Sequence, residues 1–207
     1  MDPKRHWESL WSDRSATGVS WYQPQAGLSL AMIVAAASRQ TPVIDVGGGA
    51  SVLADDLLAA GFEDVTVIDL AAAALAAARI RLGNRAAQVR WLEGDITTIP
   101  LPAAAFGLWH DRAAFHFLTA PDQQAAYVRQ LRRALQPDGH ALIATFAEDG
   151  PSQCSGLPVQ RHSPASLQAV LGTDFELLRY EHEVHTTPTG HAQAFQYCLF
   201  RFRPGAT

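Results

Sequence analysis

Three groups of residues in this 207-residue chain have the types and spacing to do chemistry. The first is Asp45-Val46-Gly47-Gly48-Gly49-Ala50-Ser51, a carboxylate followed by a glycine run. Glycines let a backbone turn sharply and approach a ligand closely, and a helix after them aims its positive end at the same place. The second is a pair of acids, Asp69 after the run 65–68 and Asp95 in Glu93-Gly94-Asp95-Ile96. An acid in the position of Asp69 accepts from both ribose hydroxyls of a nucleoside, and one in the position of Asp95 from an exocyclic adenine amine. Either acid alone suits a helix N-cap equally well. Their order along the chain is what points to a nucleoside. The third group is Trp109-His110-Asp111-Arg112-Ala113-Ala114-Phe115-His116-Phe117. An imidazole acts as a base near neutral pH, and a carboxylate orients it or binds a cationic acceptor. His116, His110 and Asp111 are therefore the candidate catalytic residues, with core packing the alternative for His116.

These groups need strand ends to hold them. Short strand-like runs at 42–46, 65–69, 88–92, 105–110 and 140–146 alternate with helical segments at 51–60, 71–82 and 121–135. Ala125, Val128, Leu131 and Leu135 mark one face of the last helix, which Pro137-Asp138-Gly139 stops. Such alternation predicts an α/β fold, a mostly parallel sheet with helices on both faces. The three groups then fall at the carboxyl ends of its strands, the crevice where open α/β sheets bind ligands.

The tail departs from this rhythm. Ser163-Pro164 opens a short helix at 163–171, and the strand-like runs 175–185 and 194–202 flank Thr187-Pro188-Thr189-Gly190. That is turn chemistry, and it predicts an antiparallel hairpin. Ahead of the sheet, Trp7, Trp11, Trp21 and Tyr22 precede a helix at 24–38. Such a preamble either closes a pocket or merely covers core. The organisation expected is a single domain over 1–207, with 1–40 a helical cap over the active site and 41–207 a core ending in the hairpin.

Composition removes several classes of function. A net charge of −4 without a long run of one sign argues against a phosphate-backbone partner. The arginines 79, 81 and 85, and 129, 132 and 133, read as exposed helix faces. Cys154 and Cys198 form no disulfide framework and no zinc spacing. His182 and His185 are three apart on a strand and face opposite sides, so no metal is expected even with His191 near. No apolar signal core follows the N-terminus, and the stretch 28–37 is too short to span a bilayer. A cytoplasmic setting without membrane association is expected.

The sequence resembles the class I S-adenosylmethionine-dependent methyltransferases. Asp45 to Ser51 matches their first motif, acid-x-Gly-x-Gly-x-Ser/Thr. Asp69 matches their ribose acid, and Gly94-Asp95-Ile96 their adenine motif. The stretch 101–111 is similar to their fourth-strand motif, and Leu135-Gln136-Pro137-Asp138-Gly139 to the stretch before strand five. The resemblance covers nearly the whole chain and is silent on substrate. It implies a Rossmann-like seven-stranded sheet ordered 3-2-1-4-5-7-6, with strand seven antiparallel. It also implies cofactor contacts from Asp45, Gly47, Gly48, Gly49, Asp69, Leu70, Asp95, Ile96, Asp111 and Ala113. Gly47 and Gly49 would flank the methionine part, Ile96 or Leu70 would pack on adenine, and Asp111 and Ala113 would border the sulfonium.

The expected reaction is in-line transfer of the S-adenosyl-L-methionine methyl group to nitrogen, oxygen or sulfur of a small molecule, leaving S-adenosyl-L-homocysteine. A small domain without an appended recognition module favours that acceptor class. A protein (lysine) acceptor is the alternative, and RNA comes third. Trp21, Tyr22, Phe115 and Cys154 are candidate substrate-binding residues, the last in a polar connection, 145–158, expected to project over the pocket as a lid. Two rivals are lesser ones: a non-catalytic methyltransferase-like module, and an NAD-dependent oxidoreductase, whose fingerprint needs a glycine where Val52 stands. The sequence sets no oligomeric state.

Overall fold

The structure, a computed structural model, describes residues 2–13 and 18–205. Its central sheet is built from β1 (Val43–Val46), β2 (Val65–Asp69), β3 (Val89–Glu93), β4 (Phe106–Arg112) and β5 (Leu135–Phe146). The two-residue strands β6 (Gln153–Cys154) and β7 (Leu157–Pro158) stand apart, and β8 (Phe175–Thr186) and β9 (Ala192–Phe202) complete the sheet. Its order is β3-β2-β1-β4-β5-β9-β8. The pairs among β1–β5 are parallel, β9 runs antiparallel to β5, and β8 antiparallel to β9. This is the seven-stranded arrangement that the resemblance implies, β8 and β9 being its sixth and seventh strands.

Both faces of the sheet are covered. α2 (Gly27–Ala36), α3 (Leu53–Ala59) and α4 (Ala72–Leu82) pack on one, through Met32, Ile33, Leu57 and Leu75. α5 (Pro121–Ala134) and α6 (Pro164–Leu171) pack on the other, through Tyr127, Leu131, Leu167 and Leu171. Burial on both faces makes the central strands near-continuous apolar runs. Side chains alternate all the same. Leu108 belongs to the first layer and Trp109 to the second, as do Leu142 and Ile143 on β5. By that period His110 and Arg112 face the α2 side, and Asp111 faces α5.

Local chemistry sets the ends. The Ser163 hydroxyl accepts from the Ser166 amide at 3.2 Å while Ser166 Oγ accepts from the Ser163 amide at 2.9 Å, a reciprocal cap on α6. α4 has no side-chain cap of its own at Ala71. Instead Glu8 reaches across from α1 (Pro3–Asp13) and accepts from the Ala72 and Ala73 amides at 2.6 and 3.3 Å. The expected stop at Pro137-Asp138-Gly139 is real but lies inside β5. Leu135 pairs with Phe106 and His140 with Leu108, and the residues between bulge outward at Asp138, whose φ is 61°. Within the expected lid, Ser155 (φ 51°) and Gly156 (φ 76°) make the two-residue turn of a small hairpin that pairs Cys154 with Leu157.

Candidate active site

A cavity of about 360 Å³ opens at the carboxyl ends of β1–β4, within the size range of small-molecule sites. The glycine loop forms its floor. The Gly47 amide donates to the Ile68 carbonyl at 2.8 Å, which ties the loop to β2. Gly47 has a φ of +66°, and a Cβ there would stand 2.6 Å from that of Ala114, so the β1 and β4 turns meet only because this residue has no side chain. Gly48 lines the cavity beside Asp45, and a Cβ on it would reach within 2.4 Å of Asp45 Oδ2. Gly49 lies behind the loop, against the Asp69 carboxylate, and is absent from the lining residues.

Asp69 and Asp95 both line the cavity, as do Leu70 and Ile96. Asp69 Oδ1 accepts from the Ala71 amide at 2.8 Å. Asp95 Oδ1 accepts from the Thr97 amide and hydroxyl at 2.8 and 2.7 Å, the Asx turn that ends β3. Each acid thus uses one oxygen on its own turn. Burial pushes the Asp69 carboxyl up to about 7; the Ala71 hydrogen bond opposes that shift, and the charges of Asp45 and Glu8 add to it.

The third cluster divides. His110 and Ala113 reach the cavity, and so does Arg112, which the sequence did not single out as a site residue. Asp111, Phe115 and His116 are each 0% exposed and do not line it. Asp111 lies beneath the floor. It accepts from the Ala114 and Phe115 amides at 3.0 and 3.1 Å and from the Tyr127 hydroxyl at 2.7 Å. It thereby secures the turn at Ala113, whose φ of 67° is costly for a residue with a side chain. Burial raises its carboxyl to about 6, against those hydrogen bonds. His116 packs on Phe117 and Phe146. Burial, with the charges of Arg112 and His162, drives its pKa down to about 3, so the imidazole stays neutral. Its expected roles as base, with Asp111 as orienting group and Phe115 as substrate contact, give way to structural ones.

The outer wall is aromatic. Pro3, Trp7 and Trp11 line the cavity from one face of α1. Their i, i+4 spacing sets them one above another on that face. Trp21 meets Trp7 and Trp11 edge-on, each at 5.9 Å between centroids, and Trp7 meets Phe117 at 4.9 Å. Tyr22 and Cys154 complete this side. Burial raises the Cys154 thiol pKa, so it stays protonated. Arg112 anchors the wall to the C-terminal hairpin. Its Nε donates to the Tyr197 hydroxyl at 2.8 Å and its Nη1 to the Trp21 carbonyl at 3.2 Å, with the guanidinium 4.3 Å above the Phe195 ring.

The glycine loop, the two strand-end acids and the reversed seventh strand agree with what the sequence comparison finds: residues 43–139 match the family model described as "Methyltransferase domain". Residues 43–139 are a methyltransferase domain, on a sheet of the class I S-adenosylmethionine-dependent type. The chain is 37% identical over 115 residues to an uncharacterized methyltransferase of Mycobacterium tuberculosis, covering 56% of this chain and 54% of that one. It is 25% identical over 137 residues to the mouse eEF1A lysine and N-terminal methyltransferase, covering 66% of this chain and 19% of that protein. The chain thus spans about half the length of the first relative and far less of the second. A solved structure with the same fold is the 1,6-didemethyltoxoflavin-N1-methyltransferase of Burkholderia thailandensis, with bound 1,6-didemethyltoxoflavin and S-adenosylhomocysteine. It is 20% identical, with a TM-score of 0.70 over 97% of this chain and 84% of that one. Among the described residues, no helix is long and apolar enough to cross a membrane and no three or more His, Cys, Asp or Glu group to hold a metal.

Proposed function

We propose that this methyltransferase moves a methyl group from S-adenosylmethionine to a nitrogen, oxygen or sulfur atom of a small molecule. One observation carries the reading: a single cavity runs from Asp95 and Asp69, past the glycine loop, to an aromatic wall built by α1 and residues 19–23. The residues present suit the cofactor. Asp69 takes the ribose hydroxyls, Asp95 the adenine amine, and Leu70 and Ile96 the two sides of the ring. Asp45, Gly47 and Gly48 border the methionine part, with Gly49 keeping Asp69 in place, and Ala113 sits beside the sulfonium. When bound, the cofactor supplies a methyl group on a cationic sulfur leaving group.

The rest falls to the protein. The wall of Trp7, Trp11, Trp21 and Phe117, with Tyr22, holds the acceptor against the sulfonium and excludes water. A neutral lone pair needs no base, and the buried, neutral His116 offers none. Aromatic faces favour a flat or cationic acceptor. The thiol of Cys154 adds a weak polar contact at the rim. The reaction belongs to a reducing, cytoplasmic setting, in keeping with two unpaired cysteines.

A second reading, methylation of a protein lysine, draws on the similarity to the eEF1A lysine and N-terminal methyltransferase. The covering position of α1 favours the smaller acceptor. Labelled S-adenosylmethionine offered to a panel of small amines, phenols and thiols, and separately to a protein extract, tests both. Label in a small product supports the first reading. Label confined to protein, chased to lysine, replaces it with the second.

A further inference from the structure

One buried polar chain on the cavity floor joins Asp45 to two residues, His110 and Ser29, that have no part in the scheme above. Ser29 in α2, Asp45 in β1 and His110 in β4 are 1, 2 and 3% exposed, and all three line the cavity. His110 Nδ1 lies 2.7 Å from Asp45 Oδ1, and its Nε2 lies 2.9 Å from Ser29 Oγ. Asp45 and His110 are register partners across the parallel pair of β1 and β4, so both side chains point to the α2 side, where Ser29 stands in the first turn of that helix. A carboxylate only accepts, so the proton of the short contact sits on Nδ1, and the Ser29 hydroxyl holds Nε2 at the other end of the ring. Both ring nitrogens are then engaged. An imidazole held at both ends cannot take a proton from an acceptor without breaking a buried hydrogen bond.

The other end of the chain is open. Among the described residues Asp45 Oδ2 has no hydrogen-bond partner; it stands against Gly48, and both residues line the cavity. A carboxylate with one oxygen fixed and the other free is aimed rather than merely present. A fixed carboxylate orients a cationic partner better than one free to rotate about its χ2 angle.

We infer that His110 is a positioning residue: backed by Ser29, it clamps one oxygen of Asp45 so that the other faces the ammonium of the cofactor's methionine part. His110 therefore works through Asp45 and not on the methyl acceptor. The inference rests on the cofactor site proposed above, and its test separates the two.

The test uses three variants, His110→Asn, His110→Gln and His110→Ala, titrated with S-adenosylhomocysteine after thermal melts confirm folding. The Asn amide reproduces the position of Nδ1 and keeps the bond to Asp45, whereas the Gln amide reproduces Nε2 and keeps only the bond to Ser29. The expected order is His110→Asn within about threefold of the parent, and His110→Gln and His110→Ala both weakened about tenfold or more, the size of a lost charge-assisted contact. Equal losses in all three, or none in any, overturn the clamp. A readout independent of ligand is ¹⁵N NMR of the imidazoles in the ligand-free protein. A His110 ring protonated on Nδ1, with a downfield Nδ1 proton that Asp45→Ala abolishes, supports the geometry. Absence of that proton overturns it. Ser29→Ala removes a single oxygen and keeps the test open if the histidine variants misfold. Binding weakened about two- to fivefold supports the clamp, since one neutral hydrogen bond is lost. Unchanged binding with an unchanged Nε2 resonance overturns it. If the parent shows the Nδ1 signature yet binds no S-adenosylhomocysteine, the cofactor site itself is wrong and the clamp falls with it.

Discussion

Asp69 and Asp111 are both carboxylic acids at strand ends, and the sheet's two-residue period sends them to opposite fates. Asp69 opens into the cavity; Asp111 vanishes under it. The pH behaviour of the site follows from Asp69. Its carboxyl is raised to about 7, chiefly by burial, so the protonated form prevails below that value in the ligand-free protein. Ribose hydroxyls donate best to the ionised form. Affinity for S-adenosylhomocysteine should therefore fall about tenfold between pH 8 and pH 6, as the proton must first be displaced. The sign for folding is the reverse. A carboxyl raised in the folded state contributes stability that is fully present below its unfolded value and lost as pH rises through about 7. Calorimetric titration across pH 6–8 checks the binding side, and Asp69→Asn should both weaken binding and flatten the profile. A pH slope that survives in that variant would show that another group governs it. The glycines and acids were legible in sequence because their order alone sets them at successive strand ends. Phe115 and His116 were not, because the left-handed turn at Ala113 ends the strand period on which any facing argument depends.

At the scale of elements, the N-terminal helix decides whether the crevice is open or walled. α1 meets the core through aromatic edges and one carboxylate, Glu8, which caps α4 in place of the missing side chain at Ala71. Lys4 adds an ion pair to Glu93 at 2.6 Å, half exposed and so of little weight. Glu8→Ala should cost about 1 kcal/mol, the usual value of an N-terminal cap with a favourable helix dipole. Its more telling effect is local. Backbone amides of 4–11 should exchange hydrogen faster while those of β1 and β4 do not, and S-adenosylhomocysteine binding should weaken several-fold. Exchange that rises uniformly would mean that α1 is part of the global core instead of a separable wall. Helix periodicity foretold α4, α5 and α6 to within a residue or two. It could not foretell a cap borrowed from another helix, nor the small hairpin at Cys154. Its turn depends on two residues with positive φ, one of them the serine at 155.

For the whole molecule, the cavity is a meeting place of parts distant in sequence. α1, α2, the ends of β1 to β4, the loop after β4 and the hairpin at Cys154 all contribute to one wall. The strand order brings these together because the chain reverses direction across the sheet at β1 and β4, the switch point that leaves a crevice between their loops. The reversed strand β9 was legible for a simple reason: Thr187-Pro188-Thr189-Gly190 permits only a tight return, and a parallel neighbour would need a long crossover. A ligand that touches all of these parts can bind only when they are assembled, so it must stabilise the fold as a unit. S-adenosylhomocysteine at a hundred times its dissociation constant should add about 2.7 kcal/mol. For a domain near 200 residues that is a rise in Tm of roughly 5–10 °C. NAD, presented in parallel, should leave Tm unchanged, because the loop carries Val52 where a dinucleotide site needs a third glycine and its reversed strand suits another fold. A rise with NAD alone would return the glycine loop to a dinucleotide and take the methyl-transfer reading with it. A rise with the thioether alone would leave the aromatic wall, and what it holds, as the question the enzyme still poses.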